Sequence, residues 1–394
     1  MSMDDPMILK AVLSLGASHA INHLSAISSS SAEVVDTAPL VSEKLRLLRE
    51  VKQLQSSGVA ALHTLPRGTM EKKAGYDALL ASYLLLFLYE FSEGTGDASW
   101  QQQLDGARSI VSIAWTEYRD ATTQGKFDDD DDDDEENDSE KEEEEPDREQ
   151  LDALDIDNFL MQFFIYHDVL TRVTVQRPQS SLLNRVPSKE SSSPSSSSSA
   201  PKFNRKEHMF GVYNGLIDIV LRIAVLRTEA NAVPVLPGTV ISEAVEIWQD
   251  IDNWRQPAVS DNELSNDYQH MCEAYIAASF LWLFSIVYPD RVADEKVQMM
   301  VQRGLESLSS IEAPGMLSFG LFPVFVIGMA CIHEQSRGVV EEQLDHIEKF
   351  CQFRNIQLCR DVIRGAWWAC DSRDGHSWDW IRLMEGQRVS LPIT

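Results

Sequence analysis

The stretch ASYLLLFLYEFSEGTGDASWQQQLDGARSIV, residues 81–111, decides how the whole chain is read. Its first half is a solid apolar run with no alternation of period two. A helix that is apolar nearly all round belongs in the middle of a bundle, so the run predicts a buried helix over 76–92. Gly94 and Gly96 stop it, and Asp97 or Ser99 can cap a second, amphipathic helix over 100–118. Two helices around a glycine break make a hairpin. Gly106 and Ala107 are small enough to let the first helix approach the second closely. Trp100 is expected to cover the mouth of the bundle, and Arg108 to pair with Glu90 or Asp105.

The same period continues outward. Residues 7–24 and 39–65 read as amphipathic helices, the second with Leu45, Leu47, Leu48, Val51 and Leu54 on one side. Residues 151–175 read as a helix with Phe159, Phe163, Tyr166, Leu170 and Val173 on a common face, stopped near Pro178. From 206 onward, helices are expected around 216–226 and 241–248, then over 268–288, 297–311, 322–334, 340–352 and 355–370. Pro289, Pro314 with Gly315, and Gly375 punctuate them. Ten or more helices and no sheet make an all-α fold, a large multi-helix bundle of packed helical hairpins.

Two segments break the pattern. Residues 128–147 carry sixteen acidic side chains against Lys141 alone. Such a run cannot bury enough apolar surface to offset the entropy of ordering. Residues 180–201 are Ser-rich (SSSPSSSSSA) and read as a flexible linker. The expected layout is a helical part over 1–125, an acidic disordered linker over 126–150 and a helix of the same domain over 151–178. A Ser-rich disordered linker over 179–205 and a C-terminal helical part over 206–394 complete it.

At 394 residues and 43% apolar content the chain can build a sizeable core, and its formal charge is −28. The acidic run holds −15 of this, leaving −13 elsewhere, a sign that repels nucleic-acid phosphates and anionic membranes. The acidic N-terminus is unlike a secretory signal. The longest apolar runs, 81–89 and 277–288, fall short of the roughly 20 residues of a membrane span. No membrane partner is expected. Cys272, Cys331, Cys351, Cys359 and Cys370 form no CxxC pair and read as reduced, buried thiols.

Chemistry is scarce. No P-loop or dinucleotide fingerprint occurs, and GMLSFG around Ser318 lacks the spacing of a nucleophile elbow. His333 and Glu334 begin a zinc-protease pattern, but its second histidine position holds Arg337. His19 and His23 lie one turn apart without a third ligand. A terpene-synthase-like enzyme is the remote alternative, with Asp128–Asp134 as its first magnesium motif and Asn266-Asp267 opening its second. The second motif then needs Ser and Glu where the chain has His270 and Ala274. No catalytic and no metal residue is assigned, no cofactor is expected in this chain, and the chain is read as not an enzyme. Trp100, Trp367, Trp368, Trp378 and Trp380 are read as packing residues.

The hairpin, with its ALLASYLLLFLYEF helix, glycine break and WQQQLDGARSIV, resembles the fungal-specific transcription factor domain. That domain is the helical regulatory region downstream of the binuclear zinc cluster in fungal zinc-cluster transcription factors. MILKAVLSLGASHA resembles the family's opening helix, FLMQFFIYHDVL its aromatic block, and FGVYNGLIDIVLRIAVL the next. LFPVFVIGMAC and WWACDSRDGHSWDWIRLME resemble its closing segments. The order of these blocks makes the likeness specific, and it spans nearly the whole chain. The signature residues it marks, expected to be structural, are Trp100, Leu104, Gly106, Ala107, Arg108, Pro323, Gly328, Trp378 and Trp380. Gln103 stands where the family commonly has His.

The six-cysteine cluster that places a helix in the major groove is absent. The chain is therefore either the regulatory part of a longer factor or a version without the reader. Zinc belongs here only if an upstream cluster exists, and DNA would be met only through it. The resemblance implies a nuclear regulator of RNA polymerase II transcription, and only KFNRK hints at an import signal. Its implied contacts are protein co-regulators, a small-molecule effector and a homodimer. The alternative is a helical scaffold or co-regulator without DNA binding of its own.

Overall fold

The computed structural model describes residues 5–30, 36–127, 154, 156–175, 208–209, 212–231, 237–254 and 266–393. The acidic run and the Ser-rich stretch, with Asp128–Asp134, lie outside the described residues. The first four helices are α1 (Pro6–Ser30), α2 (Ala38–Leu62), α3 (Met70–Glu93) and α4 (Ser99–Phe127). Next come α5 (Asn158–Thr171), α6 (Asn214–Asn231), α7 (Gly238–Asn253), α8 (Asn266–Val287) and α9 (Glu295–Ser309). The closing set is α10 (Pro314–Leu317), a 3-10 turn (Ser318–Gly320), α11 (Leu321–Met329), α12 (Glu334–Cys351), α13 (Asn355–Asp371) and α14 (Trp380–Gln387). The fold is all-α. One feature departs from the expectation of no strand: a two-residue antiparallel ladder, β1 (His208–Met209) with β2 (Val212–Tyr213), sits just before α6.

The helices start where side chains can satisfy the free N–H groups of the first turn. Thr69 Oγ1 accepts from Lys72 N, Asp157 Oδ1 from Leu160 N, Asp294 Oδ1 from Lys296 N and Asp379 Oδ1 from Arg382 N. The Asp157 cap explains one shortfall. The helix expected from 151 begins only at Asn158, while Leu154 and Ile156 enter the core ahead of it in non-helical backbone. Phe159 then lies off the buried face and is 59% exposed. Leu45 is likewise 51% exposed, because the stripe through Leu47, Val51 and Leu54 turns away from it.

α3 packs between α1, α2 and α4, and α8 is the matching central helix of the other half, against α6, α7, α9 and α11. Both are long and apolar enough to pass a membrane-span test by composition, yet most of each is buried against other helices. α5 and α13 join the halves, since α5 touches α3 and α6, and α13 touches α3 and α11. Every residue of α11 is buried. The helix expected over 322–334 breaks after Met329 and restarts at Glu334. Fully buried carbonyls at that break need partners, and side chains supply them. Trp367 Nε1 donates to Gly328 O at 2.8 Å, and Gln298 Nε2 to Ala330 O at 3.0 Å.

Candidate functional site

Gly94 ends α3 in the left-handed region (φ 57°), and a Cβ there would lie 2.6 Å from the carbonyl carbon of Arg354, between α12 and α13. Only glycine fits both the angle and the approach. Gly96 (φ 71°) turns its carbonyl toward the C-terminal tail, where Ser390 N donates to it at 2.8 Å. Asp97 caps α4 by accepting from Ser99 N at 2.8 Å. Trp100 is 3% exposed rather than covering a mouth, and its Nε1 donates to Ser390 Oγ at 3.0 Å. The glycine break is thus stitched to the end of the chain.

Further along α4, Leu104 and Ala107 are fully buried, Gln103 is buried too, and a Cβ on Gly106 would overlap the Tyr83 ring of α3. Arg108 donates to Asp105 Oδ1 and to Asp168 Oδ1, each at 2.6 Å. The other expected partner, Glu90, instead accepts from Ser99 Oγ at 2.6 Å. Arg172 Nη2 meets the second oxygen of Asp168 at 2.7 Å. Burial pushes the Asp168 carboxyl up, but the two guanidinium groups outweigh it and hold the group below the ordinary carboxylate range. Beside it, His167 is caged by the rings of Phe87, Phe91, Phe163 and Tyr166. Neither of its ring nitrogens has a hydrogen-bond partner among the described residues. Burial lowers its pKa to about 3, so it is neutral.

The closing residues converge on the same region. Trp380 Nε1 donates to Val173 O, just past α5, at 2.8 Å, and Arg227 Nη1 donates to the same oxygen at 2.8 Å. The Arg227 guanidinium also lies 5.3 Å from the centre of the Trp380 ring. Trp378 Nε1 donates to Pro289 O at 2.6 Å. Pro323 sits in the first turn of α11, where a missing N–H costs nothing. A Cβ on Gly328 would meet Ile363 and Val340 at 3.1 Å. Trp368 departs from its expected packing role and is 74% exposed. Consecutive helical residues point about 100° apart, and Trp367 takes the inward position.

Between these parts lies an open cleft of about 330 Å³. It is lined by Gly96, Asp97 and Gln101 of the first hairpin, Thr174 and Val175 just past α5, and Ile381, Met384, Glu385, Arg388 and Ser390 at the end of the chain. Its lining mixes apolar and polar groups, a mixture able to hold a small amphipathic molecule or a short peptide. The sequence marked the tryptophans and glycines at this junction. It offered no signal for the Val173 carbonyl, which accepts from both Trp380 and Arg227, or for Ser390, which accepts from Trp100 and donates to Gly96.

The other chemical candidates do not assemble. Among the described residues, no three His, Cys, Asp or Glu side chains are placed to hold a metal ion, and His19 and His23 are exposed. Asp267, of the magnesium-motif reading, accepts from Glu312 N at 3.0 Å and Ala313 N at 3.1 Å, and so ties the start of α8 to the end of α9. Arg337 forks onto Asp371 at 2.7–2.8 Å. Cys272, Cys331 and Cys359 are buried, whereas Cys351 and Cys370 are partly exposed.

No curated protein and no solved structure gives a significant match to the chain. The family model described as the fungal specific transcription factor domain matches residues 1–391, with the hairpin, cleft and closing tryptophans all inside it. This chain belongs to the fungal-specific transcription factor domain family, whose members are fungal transcription regulators.

Proposed function

We propose that this chain is the regulatory domain of a fungal zinc-cluster-type factor, acting in the nucleus on RNA polymerase II transcription without catalysis of its own. The observation that carries the reading is the family match over residues 1–391. The mechanism is docking or sensing. An effector or co-regulator segment in the cleft touches the glycine break of the first hairpin, the end of α5 and the closing helix α14 together. Those three parts belong to different stretches of sequence, so occupancy there biases how the two halves of the bundle sit. DNA contact is left to a zinc cluster outside this sequence, in keeping with a formal charge of −28.

The test is to tether residues 1–394 to a foreign DNA-binding domain and read a reporter. Expression rising or falling relative to the DNA-binding domain alone is the expected result. Expression unchanged, with the fusion present in the nucleus, overturns the reading.

A further inference from the structure

Beyond α14, residues 389–393 carry neither helix nor strand, yet Leu391 is 1% exposed, Ile393 is 0% exposed and Pro392 between them is buried. The segment lies across the seam between the glycine break of the first hairpin and the start of α13. Ser390 N donates to Gly96 O at 2.8 Å, and Ser390 Oγ accepts from Trp100 Nε1 at 3.0 Å. Asn355 Nδ2 donates to Pro392 O at 3.2 Å. Proline fixes its own φ and drives the residue before it toward extended backbone, so the segment is built to lie extended along these groups.

One member of the set is mismatched. Asn355 is 1% exposed, and its Oδ1 has no hydrogen-bond partner among the described residues. An asparagine amide donates through its nitrogen and accepts through its oxygen, and an extended residue offers its N–H and C=O on the same side. At position 392 the C=O is taken, but proline has no N–H to give. A buried acceptor left without a donor weakens the fit.

We propose that residues 389–393 are a strap over a peptide-docking groove, displaced by an extended segment of a partner protein that has a non-proline residue where Pro392 sits. The resident segment shows what the groove accepts. Gly96 O takes a backbone N–H, Trp100 Nε1 takes a small hydroxyl side chain, and the Asn355 amide takes both polar groups of one backbone unit. The places of Leu391 and Ile393 take apolar side chains. The incoming segment therefore reads, in order, small hydroxyl residue, apolar residue, any residue with an N–H, apolar residue. This is strand-like recognition, in which backbone hydrogen bonds give affinity and alternate side chains give choice. The strap holds while the partner is scarce, because covalent attachment raises its local concentration and offsets the missing bond. Ser390 also lines the neighbouring cleft, so displacement opens that side of the cleft as well.

The probe is a labelled peptide copying residues 387–394 with the change Pro392→Val, titrated into the full chain. A chain carrying Leu391→Ser, which weakens the strap, should bind it about tenfold more tightly than the wild type does. The same peptide with its proline kept should bind that chain about tenfold more weakly, the effect of one buried hydrogen bond. Adding Asn355→Ala to the chain should erase the difference between the two peptides. Equal affinity of the two peptides for the Leu391→Ser chain overturns the proposal. So does binding no tighter than to the wild type, or no binding at about 1 mM peptide. Amide exchange in the wild-type chain gives a test that needs no weakened strap. The Ser390 amide should exchange about tenfold faster than those of α3 and α8, and Pro392→Val in the chain should slow it. Protection equal to those helices, or no slowing, overturns the proposal. It stands apart from the regulatory reading, because peptide binding and exchange measure the one and the reporter the other.

Discussion

Gly106, Arg108 and His167 show what single positions do here. Gly106 lets α3 and α4 approach to the thickness of the Tyr83 ring, a role foreseeable from its lack of a side chain. Arg108 was legible only in part. Asp105 is its neighbour in sequence, but Asp168 lies sixty residues on and reaches it only because α5 packs beside α4. His167 was not singled out at all, since nothing in its local sequence says that four rings will close around it. Its burial has a measurable consequence. Folded, it stays neutral down to about pH 3, whereas the unfolded chain binds a proton near pH 6.5. The unfolded state holds the extra proton between those values, so stability rises with pH across that window by about 1.4 kcal/mol per unit from this group alone. Asp168, with a depressed value, loses its contribution only at lower pH, below the ordinary carboxylate range. Denaturant titrations from pH 4 to 6.5 should show a slope shallower by about one proton in His167→Phe. An unchanged slope would mean that the imidazole finds a partner or water in solution.

At the scale of elements, α14 is the short closing helix of the described residues. It is eight residues long and is fastened by Trp380 to the carbonyl of Val173, which Arg227 shares. A buried hydrogen bond of this kind contributes about 1 kcal/mol net, and more when its loss leaves an acceptor short. Trp380→Phe keeps most of the apolar packing and removes the donor. It should reduce hydrogen-exchange protection of α14 amides by roughly tenfold, equivalent to about 1.4 kcal/mol of local opening, and leave α1–α4 protected as before. Loss of protection throughout the molecule would show that this clasp belongs to global stability instead. The pattern of apolar residues placed most helices well but erred at their ends, as with α5, which waits for the Asp157 cap, and α11, which stops at Met329. Periodicity reports which face is apolar, whereas a helix ends where capping groups and buried carbonyls find partners.

For the whole molecule, charge is the governing quantity. A net charge of −28 opposes compaction by self-repulsion. Raising ionic strength from about 0.01 M to 0.15 M shortens the screening length from about 30 Å to about 8 Å. The melting temperature should therefore rise over that range at neutral pH. A falling value would indicate that ion pairs such as Arg360 with Glu341, Asp345 and Glu348 outweigh the repulsion. The all-α class, the central place of α3, the glycine break after it and the family were all legible in residues 81–111 and their neighbours, because 3.6-residue periodicity, glycine and helix caps are local properties of the chain. The pairing of Arg108 with Asp168, the inward choice of Trp367 over Trp368 and the cleft beside Ser390 were not. Each depends on which surfaces meet across tens to hundreds of residues, and only the packing of one helix against another settles that.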